Sequence, residues 1–136
     1  MATEVVVKET LSAEMTFAGR EIVEHLDRAG FPVSAALWFY VDDTNSWRLI
    51  IGTPGITDNG PQKAYEEIYS ILHNIQGNTP KVSFRDITVV DAKSDKLLSL
   101  LRLIFKLPGP AIHSVRFAGN VINGVLINDA YIYRLD

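Results

Sequence analysis

Two groups of side chains have the types and spacing to do chemistry. The first is a set of aromatics and arginines on one side of two expected β-hairpins: Trp38, Tyr40 and Arg48 in one, Arg116, Tyr131 and Tyr133 in the other. Aromatic rings beside guanidinium groups are the chemistry of interfaces. The ring contributes a large desolvated area at little entropic cost, and the arginine stacks on it while keeping its donors. The second group lies in the glycine-rich stretch Gly52–Pro61, where Gly55, Asp58 and Gly60 lead into a helix carrying Lys63 and then Tyr65. A strand, a glycine loop and a helix N-terminus with a lysine can cradle an anion. The stretch lacks the Gly-Lys-Ser/Thr ending of a phosphate-binding loop and the spacing of a dinucleotide fingerprint. Asp58 also brings negative charge towards the supposed anion, so a plain connecting loop is the simpler reading.

Acid–base and metal chemistry find less support. Asp42, Asp43 and Asn45 sit where a hairpin turns, and such residues are what turns are made of. His25, His73 and His113 fall in three different elements, none with a second histidine or a carboxylate at ligand spacing. There is no cysteine and no Gly-x-Ser-x-Gly elbow. No catalytic residue, metal or cofactor is assigned, although a constellation assembled from distant residues stays open. The basic residues Lys93, Lys96, Arg102 and Lys106 read as a solvated helix face.

The elements that must position these groups follow from periodicity. Leu11, Met15, Ala18, Ile22, Leu26 and Ala29 recur at helical spacing from about Thr10, and Gly30 and Pro32 end that helix. Residues Val33–Val41 and Trp47–Thr53 read as strands joined by the five-residue loop Asp42–Ser46. That loop pairs Val41 with Trp47, Phe39 with Leu49 and Leu37 with Ile51 on a core side. Trp38, Tyr40 and Arg48 then fall on the opposite side.

A second helix is expected over 61–76, from Pro61 to a stop at Gly77. A strand over Val82–Val90 follows, with a break near Arg85-Asp86 where its alternation slips. A third helix, capped by Asp91 or Ser94, runs to about Leu107 and is apolar around most of its circumference, so a partner or the fold itself must cover it on two sides. Asn123-Gly124 then turns a long C-terminal hairpin that pairs Ile122 with Val125, Phe117 with Ala130 and Val115 with Ile132. Val5–Val7 fits either a strand or a first helical turn.

The resulting order is α-β-β-α-β-α-β-β. It implies an α+β fold of two layers: a mostly antiparallel sheet of about five strands with three helices mainly on one face. The 136 residues form a single domain, 1–136, with 47% hydrophobic and 21% charged residues, the balance of an ordinary globular protein. No segment has the length and apolarity of a membrane span or a signal peptide, so a cytoplasmic protein without membrane association is expected. The net charge of −3 counts against a general polyanion binder.

The leading functional expectation is a small non-enzymatic interaction module. It would form a homo-oligomer or bind a protein partner through the open sheet face, the exposed side of the third helix, or both. Against it stands the simpler possibility that the N-terminal segment covers that face. Two alternatives remain: a small-molecule-binding domain or small enzyme with a pocket at the Gly52–Pro61 loop, and a single-stranded nucleic-acid binder that stacks bases on the sheet. No aromatic-glycine signature of an RNA-binding sheet supports the last.

Overall fold

A computed structural model describes residues 8–56, 60–74, 82–107 and 109–136. The expectations that fall on Val5–Val7, Gly77 and residues 78–80 lie outside these. Helix α1 (Ala13–Arg28) starts at Ser12, whose hydroxyl accepts the Met15 N–H at 3.1 Å. It buries Ala18, Gly19, Ile22, Val23 and Leu26, the side of the helix its periodicity predicts. Gly30 takes φ 79°, and the Phe31 N–H reaches back 2.9 Å to the Leu26 carbonyl, so the chain leaves the helix there.

The remaining elements are β1 (Ala35–Val41), β2 (Ser46–Thr53), α2 (Gln62–His73), β3 (Ile87–Asp91), α3 (Lys96–Arg102), β4 (Val115–Ile122) and β5 (Val125–Leu135). The five strands form one sheet in the order β3-β2-β1-β5-β4. The fold is α+β, with the expected order of elements. Every neighbouring pair is antiparallel except β2 and β3, which run parallel because α2 carries the chain back between them. The slip near Arg85-Asp86 is a short 3₁₀ turn, Phe84–Asp86, and only the residues after it pair with β2.

Two further elements depart from expectation. Helix α3 stops at Arg102 instead of continuing to Leu107, because the Leu103 and Ile104 N–H groups bond three residues back and tighten the last turn. Its cap is Asp95, which accepts the Leu98 N–H, while Asp91 holds the preceding turn through Lys93 N and Ser94 Oγ.

The first hairpin also turns one residue sooner. Asn45 adopts the left-handed φ of 46°, so Val41 pairs with Ser46 and not with Trp47. A one-residue change of register moves every side chain of one strand to the other face relative to its partner. Trp38 therefore stands opposite Leu49 and Tyr40 opposite Trp47, whereas Phe39 meets Arg48. The C-terminal hairpin keeps its expected register, with Asn123 and Gly124 at φ 48° and 78°.

Helices cover the sheet on both sides. One core gathers Ile22 and Leu26 of α1 and Ile68 of α2 with Trp38, Leu49 and Tyr133. The other gathers Leu98 and Leu101 of α3 with Leu37, Ile50, Ala130 and Ile132. Leu98 and Leu101 are fully buried, and each such side chain contributes roughly 1.5–3 kcal/mol. The expected open face is thereby corrected: β1, β2 and the C-terminal half of β5 are covered on both sides, and only the start of β5 stays exposed. Beyond Gly119, which takes φ 64°, the β4–β5 ribbon places Ile122 and Ile127 in the core that contains α3.

Candidate functional site

The six residues expected to share an interaction surface are divided among three environments. Trp38 and Tyr133 are core, each 1% exposed. The Trp38 indole donates to Tyr133 Oη at 3.1 Å and to the Met15 carbonyl at 3.2 Å, and Tyr133 Oη donates to the Thr16 carbonyl. These bonds anchor the sheet to the first turn of α1. Burial holds the Tyr133 phenol far above its ordinary pKa, so it stays neutral and donates. Arg48 lies on the other face, where its guanidinium bonds Thr88 Oγ1 at 2.5 Å and the Arg85 and Ile87 carbonyls at 2.9 and 3.2 Å. It pins the edge strand β3 to β2.

Tyr40, Arg116 and Tyr131 do stay on one face, and the N-terminal segment closes over part of it. The Trp47 indole donates to the Glu9 carbonyl at 2.8 Å, and the Glu9 N–H donates to Asn45 Oδ1 at 2.9 Å. This segment brings Lys8 to the surface between β1, β2 and β5. The Lys8 ammonium sits 2.6 Å from Asp129 Oδ2, 4.8 Å from the Tyr40 ring centre and 5.5 Å from that of Trp47. Arg116 grips the same carboxylate with two bonds of 2.5 and 2.6 Å and lies 5.6 Å from the Trp47 ring. Tyr131 packs edge-on against Tyr133, with ring centres 5.3 Å apart.

Asp129 is 4% exposed. Burial alone would raise its pKa, but the hydrogen bonds from Arg116 and Lys8 outweigh it and hold the carboxyl below its usual range. Tyr40 is shifted up, first by burial and then by the nearby charges of Asp42 and Glu9. Sequence reasoning missed Lys8, Trp47 and Asp129 in this cluster. The one readable signal was Asp129 itself, a carboxylate inside a largely apolar strand.

The glycine loop borders a hollow of about 220 Å³ lined by Phe31, Pro32, Thr53, Gly55, Gly60 and Lys63, with Glu67 at its rim. It lies beyond the carboxyl end of β2, beside the start of α2, where open α/β units commonly bind ligands. Asp58 lies outside the described residues. The hollow is smaller than the ~300–1,000 Å³ of ordinary ligand sites, and Lys63 and Glu67, one helical turn apart, offset each other. Tyr65 does not line it. Its hydroxyl accepts the Val89 N–H at 2.8 Å, and with Tyr69 and Phe84 its ring lines a separate open groove.

A third surface lies at the opposite end of the sheet. Leu103 and Ile104, just after α3, and Val121, Val125 and Leu126, around the β4–β5 tip, are exposed, from 45% for Val125 to 64% for Val121. Between α3 and the tip is an open hollow of about 410 Å³ lined by Ser94, Lys96, Ser99, Leu100, Leu103 and Asn123. Leu103 belongs both to these aliphatics and to the hollow, and Val125 shares the ribbon face of Ile122 towards α3, whereas Val121 and Leu126, paired with each other, lie on the opposite face of the tip.

Among the described residues, no group of three or more His, Asp and Glu side chains is placed to hold a metal ion. None of the described helices is long and apolar enough to cross a membrane. No protein-family model, curated protein or solved structure matches this chain.

Proposed function

We propose that this domain is a protein-interaction module that self-associates through the surface formed by the end of α3 and the tip of the β4–β5 hairpin. The observation that carries the reading is the exposure of Leu103 and Ile104 after α3 and of Val121, Val125 and Leu126 on the two faces of the neighbouring hairpin tip. Isolated exposed aliphatics are ordinary, but five of them around one helix end and one hairpin tip, on a domain this small, are what a partner covers. A second copy is the partner that fits. A two-fold interface uses the same patch on both subunits, and this patch carries both a projecting aliphatic tip and a hollow beside it.

This reading keeps the third-helix part of the expected interaction surface and abandons the open sheet face. The ring faces that a nucleic-acid base would need on that sheet lie under α1 or against Lys8.

Sedimentation equilibrium tests the proposal. The wild-type chain is expected to dimerise at tens of micromolar or below, given roughly 800 Å² buried per partner in a standard interface. Leu103→Glu and Leu126→Glu should each yield a folded monomer. A wild-type protein that stays monomeric at about 100 μM, below which stable complexes assemble, overturns it.

A further inference from the structure

The cluster around Lys8 has the composition of a cation-recognition site that the chain fills with one of its own side chains. Two aromatic rings, Tyr40 and Trp47, approach the ammonium at 4.8 and 5.5 Å, and Asp129 accepts a charge-assisted bond from it at 2.6 Å. Asn128 Oδ1 stands 3.5 Å away, and the Asn128 amide is itself held by Asp42 at 2.6 Å. Aromatic faces with a carboxylate are how proteins select alkylammonium groups. The ring quadrupoles attract the cation and its polarised methylene groups, and the carboxylate takes the N–H.

Most of this site is built without Lys8. Tyr40 and Trp47 face each other across paired positions of β1 and β2, with ring centres 5.5 Å apart. Asp129 is oriented by both of its bonds to Arg116. The local charge also favours a cation. Asp129, Asp42 and Glu9 supply three negative charges, against Arg116 and Lys8, so removal of the Lys8 charge leaves two in excess. The Lys8 side chain retains 37% of its exposure, so it is not sealed into the fold.

We infer that the Tyr40–Trp47–Asp129 cage is a binding site for primary alkylammonium groups, occupied in cis by Lys8 and available to an external amine once that side chain is withdrawn. Lys8 then acts as a tethered competitor. The effective concentration of a ligand on so short a tether is in the millimolar range, so an external amine must exceed it or bind better.

The test uses the Lys8→Ala variant of the 136-residue chain and n-butylammonium as probe, with 1-butanol as the neutral control. Butylammonium should raise the Tm of Lys8→Ala saturably, by about 2 °C or more, and should shift the Trp47 indole N–H resonance. It should do neither in the wild type at the same concentration. The double variant Lys8→Ala/Asp129→Asn should lose the response. A doubly blocked lysine, N-acetyl-lysine N-methylamide, separates sources: tighter binding than butylammonium marks a chain-borne lysine, weaker binding a free amine, and both support the ammonium site. An equal response to butanol, or a response of Lys8→Ala no greater than that of the wild type, overturns the inference. If Lys8→Ala fails to fold, Lys8→Ser opens the same position and is read by the same criteria.

Discussion

The indole N–H of Trp38 donates to the hydroxyl of Tyr133 across 3.1 Å, directly beneath Gly19 of α1. The two side chains come from adjacent strands, β1 and β5, and together form the seat on which α1 rests. A Cβ on Gly19 would lie 2.5 Å from Tyr133 Oη and 2.6 Å from Trp38 Nε1, closer than any real contact.

Gly19→Ala should therefore destabilise the protein, although the same change in a free helix gains about 1 kcal/mol. Overpacking of this kind costs about 1–3 kcal/mol, and here it also forces a polar pair apart. Urea denaturation checks the sign, and a Gly19→Ala protein more stable than wild type would show that α1 does not sit closely on this pair.

Arg134 is 3% exposed and bonds both Asp27 oxygens at 2.9 Å, as well as the Val33 and Pro110 carbonyls. Asp27→Ala leaves that guanidinium buried with its charge uncompensated. The expected loss is about 3 kcal/mol, the low end for breaking a buried pair, because Asp27 keeps some contact with water. Thermal unfolding of Asp27→Ala beside Arg134→Met/Asp27→Ala measures it. The double variant should recover part of the loss, and no recovery would mean that the charge itself was not the cost.

The Asp129 carboxyl has a folded-state pKa below its unfolded value of about 3.9. Its stabilising contribution is therefore present in full above that unfolded value and disappears as pH falls through the folded one. The stability difference between wild type and Asp129→Asn should be constant from about pH 5 upward and should shrink below about pH 4. Denaturation at a series of pH values tests this, and a difference that persists unchanged at pH 2 would contradict it.

Asn45 performs two tasks with one side chain. It turns the first hairpin at φ 46°, and its Oδ1 accepts both the Glu9 N–H and the Tyr40 hydroxyl. Asn45→Gly preserves the backbone conformation and removes the acceptor. The N-terminal segment should then loosen, with the Glu9 amide exchanging about tenfold faster, equivalent to the ~1 kcal/mol of one hydrogen bond. Amide exchange by NMR reads this directly, and unchanged protection at Glu9 would show that the segment is held elsewhere.

The sequence by itself determined most of the local structure of this protein. Ser12 and Gly30 mark the ends of α1, Asn123-Gly124 sets the register of the C-terminal hairpin, and the slip at Arg85-Asp86 marks the break before β3. These are decided by backbone conformation within a few residues, where residue type and φ are directly linked. The class and order of elements follow from the same signals.

Only the tertiary structure decided which side of each strand meets which helix. That choice turned on whether Val41 pairs with Ser46 or with Trp47, and both loops are made of the same turn-forming residues. The alternation of β1 offered no arbiter, because Leu37 and Phe39 are apolar on one side and Trp38 and Tyr40 on the other. With α1 and α3 on opposite faces, both sides of the central strands are core, and aromatics that looked like an interface became the seat of a helix. The Lys8 cage was hidden for the same reason. Its carboxylate and its ammonium lie 121 residues apart in the chain, and no pattern confined to neighbouring residues can bring them together.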